Sequence, residues 1–273
     1  MTLGWAALTQ RERDLAYNNN EAVPDASSLI EERNVASAAI RPSFAKTLEL
    51  PYGESQREQW DLYPGKDPAA PTLAFIHGGY WQRNRREDFA SIAEGALAMG
   101  WNVALCGYSL CPEVTLTKIA YQIHAALDWL SARGAEHGLA GPIVLTGWSA
   151  GGHLTALGAE HPAVTAAIPI SGIFELGPIR DTYLNAALKL TDEEIVELSP
   201  MRRPVVNKPM AIVYGAAELP ELCRQSRDFH ALRAAAQAPG PLVPIPGADH
   251  FRILDALRRP GGAMLRVAAD LLL

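Results

Sequence analysis

The chain has 273 residues, 48% of them hydrophobic and 20% charged, with a formal net charge of −6 at pH 7. These values are typical of a globular protein with a sizeable buried core. The acidic balance, without a basic stripe, argues against a nucleic-acid partner, and the sequence has no run of about 18 apolar residues that would predict a membrane span.

The chain is predicted to open with a segment of helix and polar turn, which strands then follow. Residues 1–45, here called the cap segment, are predicted to contain a helix followed by the polar turn "YNNNEAVPD". Segments 46–52 and 57–63 alternate well enough to form an antiparallel pair. Six short apolar runs then predict buried strands, at residues 72–77, 102–108, 142–148, 166–171, 210–215 and 241–247.

Helical patterns lie between most of these strands. The clearest is a stripe of apolar residues at spacings of three and four, formed by Leu116, Ile119, Ala120, Ile123, Leu127 and Leu130. Strands that alternate with helices predict an α/β protein with a mostly parallel, doubly wound sheet and helices on both of its faces. We therefore expect one domain over residues 1–273, with a last helix at about 261–272.

One stretch, residues 172–208, interrupts this alternation. It is a long excursion that contains three prolines and a central helical pattern, "TDEEIVEL". Long excursions in a compact domain are usually functional. We expect this excursion and the cap segment to form a small lid.

A candidate nucleophile lies in "LTGWSAGGH", residues 145–153, which follows a predicted strand and opens a helical run. The pattern Gly147-x-Ser149-x-Gly151 is that of a nucleophile elbow, in which serine occupies a strained strand-to-helix turn and small neighbours let the turn close. The alternative is a purely structural turn rich in glycine and serine. In this strand–turn–helix context the pattern predicts Ser149 as a nucleophile.

Backbone donors for such a serine are expected in "FIHGGYWQR", residues 75–83. An oxyanion formed during acyl transfer is held by the N–H after the nucleophile, here Ala150, and by N–H groups of a loop after an earlier strand. Gly78 and Gly79 occupy that loop and lack a Cβ that would obstruct close approach. These three residues are the predicted oxyanion hole, with an ordinary tight turn as the alternative.

A serine nucleophile needs a base and an orienting carboxylate, in the chain order serine, acid, histidine. His250 follows the last predicted strand, whereas His230 lies in an amphipathic helical pattern where packing is the better explanation. The acid is expected after strand 210–215, where Glu218 precedes the next helix and Glu221 is the alternative. Asp249 is adjacent to His250 and is poorly placed to reach its neighbour's ring.

Two aromatic residues follow the glycines of the predicted loop. Tyr80 and Trp81 are expected to flank an aromatic leaving group. Simple packing under the lid is the alternative for both, and Trp81 is the better candidate for it.

Several motifs together resemble one family. They are "HGGYW", "GWSAGGHL", "SGIFELGPI", "LSPM", "PELCRQSRDF" and "DHF", and over roughly residues 72–255 they are similar to the kynurenine formamidase (arylformamidase) branch of the α/β-hydrolases. The resemblance implies an α/β-hydrolase fold, Ser149 as nucleophile, Glu218 as acid and His250 as base. Glutamate at position 218 departs from the aspartate of those formamidases and weakens any claim that the substrate is the same.

These residues predict a serine hydrolase that cleaves a formamide or a short-acyl amide or ester. The favoured substrate is an arylformamide of the N-formylkynurenine type; the alternatives are a general short-acyl carboxylesterase and a non-catalytic ligand-binding relative. The expected partner is a small acyl compound. No nucleic acid, membrane, metal or cofactor is expected, and the sequence leaves a homodimer as an open alternative. Three irregularly spaced cysteines, Cys106, Cys111 and Cys223, fit a reducing cytoplasm.

Overall fold

The computed structural model describes residues 4–273 and is built on one eight-stranded sheet with the strand order β1-β2-β4-β3-β5-β6-β7-β8. The strands are β1 (Leu50–Pro51), β2 (Gln59–Tyr63), β3 (Thr72–Ile76), β4 (Asn102–Cys106), β5 (Ile143–Trp148), β6 (Val164–Ile170), β7 (Ile212–Gly215) and β8 (Leu242–Ile245). β1 and β2 form the predicted antiparallel pair, and β2 is also antiparallel to β4. All other neighbours are parallel. The predicted α/β fold class is confirmed.

Twelve α-helices are found within residues 4–273. They are α1 (Gln10–Leu15), α2 (Asn19–Ala22), α3 (Ala26–Ile40), α4 (Ala93–Ala98), α5 (Leu116–Arg133), α6 (Ala150–Gly158), α7 (Gly177–Arg180), α8 (Asn185–Leu188), α9 (Asp192–Leu198), α10 (Pro220–Ala235), α11 (Asp255–Arg258) and α12 (Ala263–Asp270). No helix among these residues is long and apolar enough to cross a membrane.

Burial on both faces explains why the central strands read as continuous apolar runs. Every residue of β3 is buried, and its side chains alternate between two core clusters. Ala74 and Ile76 pack with the apolar stripe of α5, whereas Leu73 and Phe75 pack on the opposite face. Successive side chains of a strand point to opposite faces, and a parallel sheet covered by helices on both sides needs apolar residues at every position.

The cap segment is more helical than predicted. α2 forms inside the predicted polar turn, where the Asn18 side chain accepts from the N–H of Glu21 as an N-cap. α3 was missed, because its sequence, "ASSLIEERNVASAAI", has few large apolar residues and so shows little helical periodicity. It packs through small and polar contacts instead: Ser37 is buried and donates to the carbonyl of Asp88 at 2.9 Å.

The excursion at 172–208 contains the predicted helix as α9, which begins at a capping box formed by Thr191 and Glu194. The excursion and the cap segment touch each other. Trp5 Nε1 donates to Asp181 Oδ2 at 3.0 Å, and the N–H of Tyr183 donates to Asp14 Oδ1 at 2.8 Å. These contacts join the two segments, and residues of both line one pocket with Ser149.

Candidate active site

Ser149 lies between the end of β5 and the start of α6, in a strained backbone conformation. Its φ is +60°, a value that non-glycine residues rarely adopt. The turn is fixed by a hydrogen bond from the N–H of Ser149 to the carbonyl of Ile170 at 2.8 Å. Both glycines of the motif are needed for space, since a Cβ on Gly147 would lie 2.4 Å from the Gly151 carbonyl oxygen and one on Gly151 would lie 2.0 Å from that of Ile76.

Glu218 and His250 form a buried pair. His250 Nδ1 lies 2.9 Å from Glu218 Oε2, and both side chains are almost fully shielded from solvent. The other carboxylate oxygen, Oε1, accepts from the Ser171 hydroxyl at 2.5 Å and from the N–H of Gly215 at 2.8 Å. A carboxylate can only accept here, so the proton of the neutral ring lies on Nδ1 and Nε2 remains free to accept one.

Trp148, next to the serine, orients the histidine. Its Nε1 donates to the carbonyl of His250 at 2.8 Å, and the two rings pack with centroids 4.8 Å apart. Neither this role of Trp148 nor the contact of Ser171 with Glu218 was predicted from the sequence. Trp148 stands inside the recognised motif and could have been noticed there, whereas Ser171 has no signal outside the tertiary structure.

Ser149 and His250 line the same pocket, whose volume is about 80 Å³. The other lining residues are Asn18, Asn19, Asn20, Ile30, Arg33, Gly79, Tyr80, Arg83, Asn84, Trp148, Tyr183 and Phe251. Within residues 4–273 no hydrogen bond joins the Ser149 hydroxyl to His250. The evidence that the two side chains lie near each other is that both line this pocket. A wider groove of about 910 Å³ lies between α5 and the excursion and includes neither residue.

Free backbone donors lie beside the serine. Within the described chain, the N–H groups of Gly78, Gly79, Tyr80 and Ala150 donate to no protein acceptor. Ala150 is the first residue of α6, where N–H groups have no partner inside the helix. Gly79 and Tyr80 line the pocket and Gly78 does not. Gly78 instead allows close packing, since a Cβ there would lie 2.6 Å from the Trp148 carbonyl oxygen.

The loop that carries these donors is held by the cap segment. Gly79, Tyr80 and Trp81 have consecutive positive φ values of +113°, +51° and +58°. The Tyr80 hydroxyl donates to the carbonyl of Tyr17 at 2.6 Å and accepts from Asn19 Nδ2 at 3.1 Å. The phenol therefore anchors a backbone conformation that two of the three residues would otherwise avoid.

Of the two aromatics predicted to flank a leaving group, only Tyr80 lines the pocket. Trp81 is fully buried and packs edge-on against His153, with ring centroids 5.0 Å apart. Its role as a substrate contact is therefore corrected to core packing. The physical reason is its environment: the indole is 0% exposed and packs against the buried ring of His153.

Two other histidines near the site are structural. His77 Nδ1 donates to the carbonyl of Gly78 at 2.9 Å, and His153 Nε2 donates to that of Leu198 at 2.7 Å. Burial lowers the pKa of His77 to about 3 and that of His153 to about 4. Both rings are therefore neutral near pH 7.

The fold and this group of residues define the class of protein. A serine at a strained strand-to-helix turn, a buried histidine–carboxylate pair after later strands, and unused backbone donors beside them are the components of acyl transfer. The chain is a serine hydrolase of the α/β-hydrolase fold.

Comparisons with known proteins narrow the class. The BD-FAE family model matches residues 61–172. Kynurenine formamidase from Danio rerio is 27% identical over 275 residues, which cover 93% of this chain and 93% of that protein. Esterase LipQ from Mycobacterium tuberculosis is 27% identical over 79% of this chain and 59% of its own length. A crystal structure from Silicibacter sp. tm1040, described provisionally as a thioesterase, matches with a TM-score of 0.84 and 29% identity, covering 94% of this chain and 99% of that one.

The chain is thus similar to kynurenine formamidases and to esterases of the α/β-hydrolase fold. The family resemblance predicted from the motifs is confirmed.

Proposed function

We propose that the protein hydrolyses an arylformamide of the N-formylkynurenine type and releases formate and an arylamine. The observation that carries this proposal is the His250–Glu218 pair at a pocket that Ser149 also lines. The formamidase relative, which matches over 93% of the chain, supports the choice of a formamide.

In the proposed mechanism, Glu218 holds the His250 ring so that Nε2 takes the proton of Ser149. The serine oxygen attacks the formyl carbon, and the C=O electrons move onto its oxygen. The ring then gives the proton to the departing amine nitrogen as the C–N bond breaks. Water gives a proton to the same ring as it attacks the formyl ester, and the ring returns that proton to the Ser149 oxygen as the ester C–O bond breaks and formate leaves.

The oxyanion is proposed to be held by N–H groups of Ala150, Gly78, Gly79 and Tyr80, which donate to no protein acceptor in the described chain. Gly79 and Tyr80 line the pocket with Ser149, and a Cβ on Gly78 would lie 2.9 Å from the Cβ of Ser149, so this loop runs beside the nucleophile. Removing one such donor typically costs about 100- to 1000-fold in rate.

The size of the pocket supports a small acyl group. Its volume of about 80 Å³ is well below the roughly 150 Å³ of an engineered cavity that takes one benzene ring. We propose that a formyl group occupies this space beside Ser149 and that the aryl group lies toward Tyr183, a lining residue that is 42% exposed.

The test measures formate release from N-formylkynurenine and hydrolysis of p-nitrophenyl acetate, each with the wild type and with Ser149→Ala. We expect the wild type to release formate and the variant to lose at least about 10⁴-fold in kcat on both substrates. Ester hydrolysis without formate release would reject the formamidase proposal and leave the serine hydrolase.

A short-acyl carboxylesterase is the second candidate, favoured by the same small pocket and by the esterase relative. Faster cleavage of p-nitrophenyl acetate or butyrate than of N-formylkynurenine would select it. Absence of labelling by a fluorophosphonate would instead indicate a non-catalytic relative.

We also propose a reducing, cytoplasmic location. All three cysteines are buried free thiols in the described chain, and burial raises the pKa of Cys106 to about 12. Thiols of this kind persist in reducing compartments.

A further inference from the structure

A buried arginine lines the pocket without a carboxylate partner. Arg33 is 7% exposed, and its recorded hydrogen bonds, from Nε at 3.3 Å and Nη2 at 3.0 Å, both go to the amide oxygen of Asn34. Within residues 4–273 it forms no salt bridge. Burying a charge without an opposite charge is costly, so a function for this guanidinium is expected.

The guanidinium shares the pocket with Ser149 and His250 and is connected to His250 through packed aromatic rings. Its Cζ is 4.1 Å from the centroid of the Phe89 ring, which partly offsets the cost of burial. Phe89 packs against Trp148 with centroids 5.8 Å apart, and Trp148 packs against His250 at 4.8 Å. Only two aromatic rings therefore separate Arg33 from the imidazole that serves the nucleophile.

Burial lowers the pKa of Arg33 to about 10, against an opposing effect of Asp88. The side chain is therefore a cation at neutral pH. Three of its five N–H donors have no recorded partner in the described chain, which leaves a donor edge free for a ligand.

The pocket lining as a whole is positively charged, like Arg33 itself. A second arginine, the exposed Arg83, also lines it and forms no salt bridge within residues 4–273. No aspartate or glutamate is among the lining residues. A chain with a net charge of −6 thus has two arginines and no carboxylate among the residues that line this pocket.

We propose that the pocket selects substrates that carry a carboxylate, with Arg33 binding it directly and Arg83 attracting it at the open side. The proposal deepens the proposed function and rests on it: the substrate is an arylformamide with an anionic group on its arylamine part. Arginine suits this role, because its planar donors match the two oxygens of a carboxylate.

The test uses inhibitors rather than formamide substrates. Hydrolysis of p-nitrophenyl acetate is inhibited with 2-aminobenzoate and with its neutral counterpart, 2-aminobenzamide, and the ratio of the two inhibition constants is measured. A hydrogen bond between charged groups predicts that the wild type binds the carboxylate at least about 10-fold more tightly than the amide. A ratio near one would overturn the proposal.

Variants then assign the preference to residues. We expect Arg33→Met to bring the ratio close to one, Arg33→Lys to keep part of it, and Arg83→Met to reduce it by about threefold, as for a charge at the exposed rim. Arg85→Met is the matched control and should leave it unchanged, because Arg85 is exposed and lies outside the pocket lining. A purely structural Arg33 would weaken both inhibitors equally, and an unchanged ratio in Arg33→Met and Arg83→Met would reject the assignment.

If Arg33→Met fails to fold, Arg83→Met and Arg33→Lys still decide. The outcome is also separable from that of the proposed function, because the assay uses a neutral ester. Failure to release formate from N-formylkynurenine rejects the formamidase, whereas loss of the inhibitor preference rejects the carboxylate site.

Discussion

At the scale of single residues, the surroundings of two neighbouring glutamates separate their roles. Glu218 contacts the histidine with one oxygen and is held by Ser171 and Gly215 through the other. Glu221, in the first turn of α10, instead accepts from the Tyr17 hydroxyl at 3.0 Å. Of the two candidates for the acid, only Glu218 touches His250.

We predict that Glu218→Gln lowers kcat by about 10⁴-fold, because an amide that donates toward Nδ1 favours the wrong tautomer of the ring. Glu221→Gln should change kcat by no more than about threefold, since the glutamine still accepts from Tyr17. Steady-state kinetics on p-nitrophenyl acetate measure both. The reverse ranking would show that Glu221 is the acid.

The contacts of Glu218 with His250 could be anticipated from sequence, because the elbow motif and the chain order of the fold fix which loops meet at the carboxyl ends of the strands. Ser171 and Arg33 could not. The roles of Ser171 and Arg33 depend on tertiary contacts with residues that are distant in sequence. A serine after a strand or an arginine in a polar helix forms no motif that would predict such a role. The packing of Trp81 had been the alternative prediction for that residue, and its burial against His153 selects it.

At the scale of elements, the loop after β3 depends on the cap segment. Residues 79–81 carry three consecutive positive φ values, and each such angle at a non-glycine residue costs on the order of 1–3 kcal/mol. Two hydrogen bonds at the Tyr80 hydroxyl, to Tyr17 and from Asn19, offset that cost. The cap segment thus positions backbone donors that it does not itself contain.

We predict that Tyr80→Phe lowers kcat by about 10-fold with a smaller change in KM, because the loosened loop no longer aims its N–H groups at the oxyanion. Kinetics on p-nitrophenyl acetate provide the readout. Tyr121→Phe, an exposed tyrosine on α5, is the control and should behave as the wild type. An unaltered kcat in Tyr80→Phe would mean that the anchor is dispensable.

The elements themselves differ in how far sequence predicts them. Buried strands such as β3 and the striped helix α5 are specified by their own apolar residues. α3 is held by contacts such as Ser37 with Asp88 and Arg33 over Phe89, which pair small or polar groups with distant partners. Such contacts produce no periodic pattern of apolar residues in the sequence, so α3 was not predicted.

At the scale of the whole molecule, two neutral histidines in the core link stability to pH. His77 stacks on Tyr108 with centroids 4.3 Å apart, and His153 packs against Trp81. Their pKa values of about 3 and about 4 lie below the ordinary value of 6.5. The unfolded chain therefore binds protons at these sites more readily than the folded protein.

We predict that the free energy of unfolding is unaffected by these two groups above about pH 6.5 and falls as the pH drops toward about 4, by up to about 1.4 kcal/mol per pH unit for each histidine. His153→Gln should remove its share of the fall while keeping a donor for the Leu198 carbonyl. Urea unfolding at several pH values measures the slope. Equal slopes in the variant and the wild type would contradict the prediction.

The hydrogen bond between Tyr17 and Glu221 spans 204 residues of sequence. At roughly 5–20 residues per second, a ribosome needs about 10–40 s to synthesise that interval. For that time the newly made amino-terminal portion has no partner for its tyrosine hydroxyl. Since Glu218 and His250 of the active site also lie in this later part of the sequence, the site can assemble only late in biosynthesis.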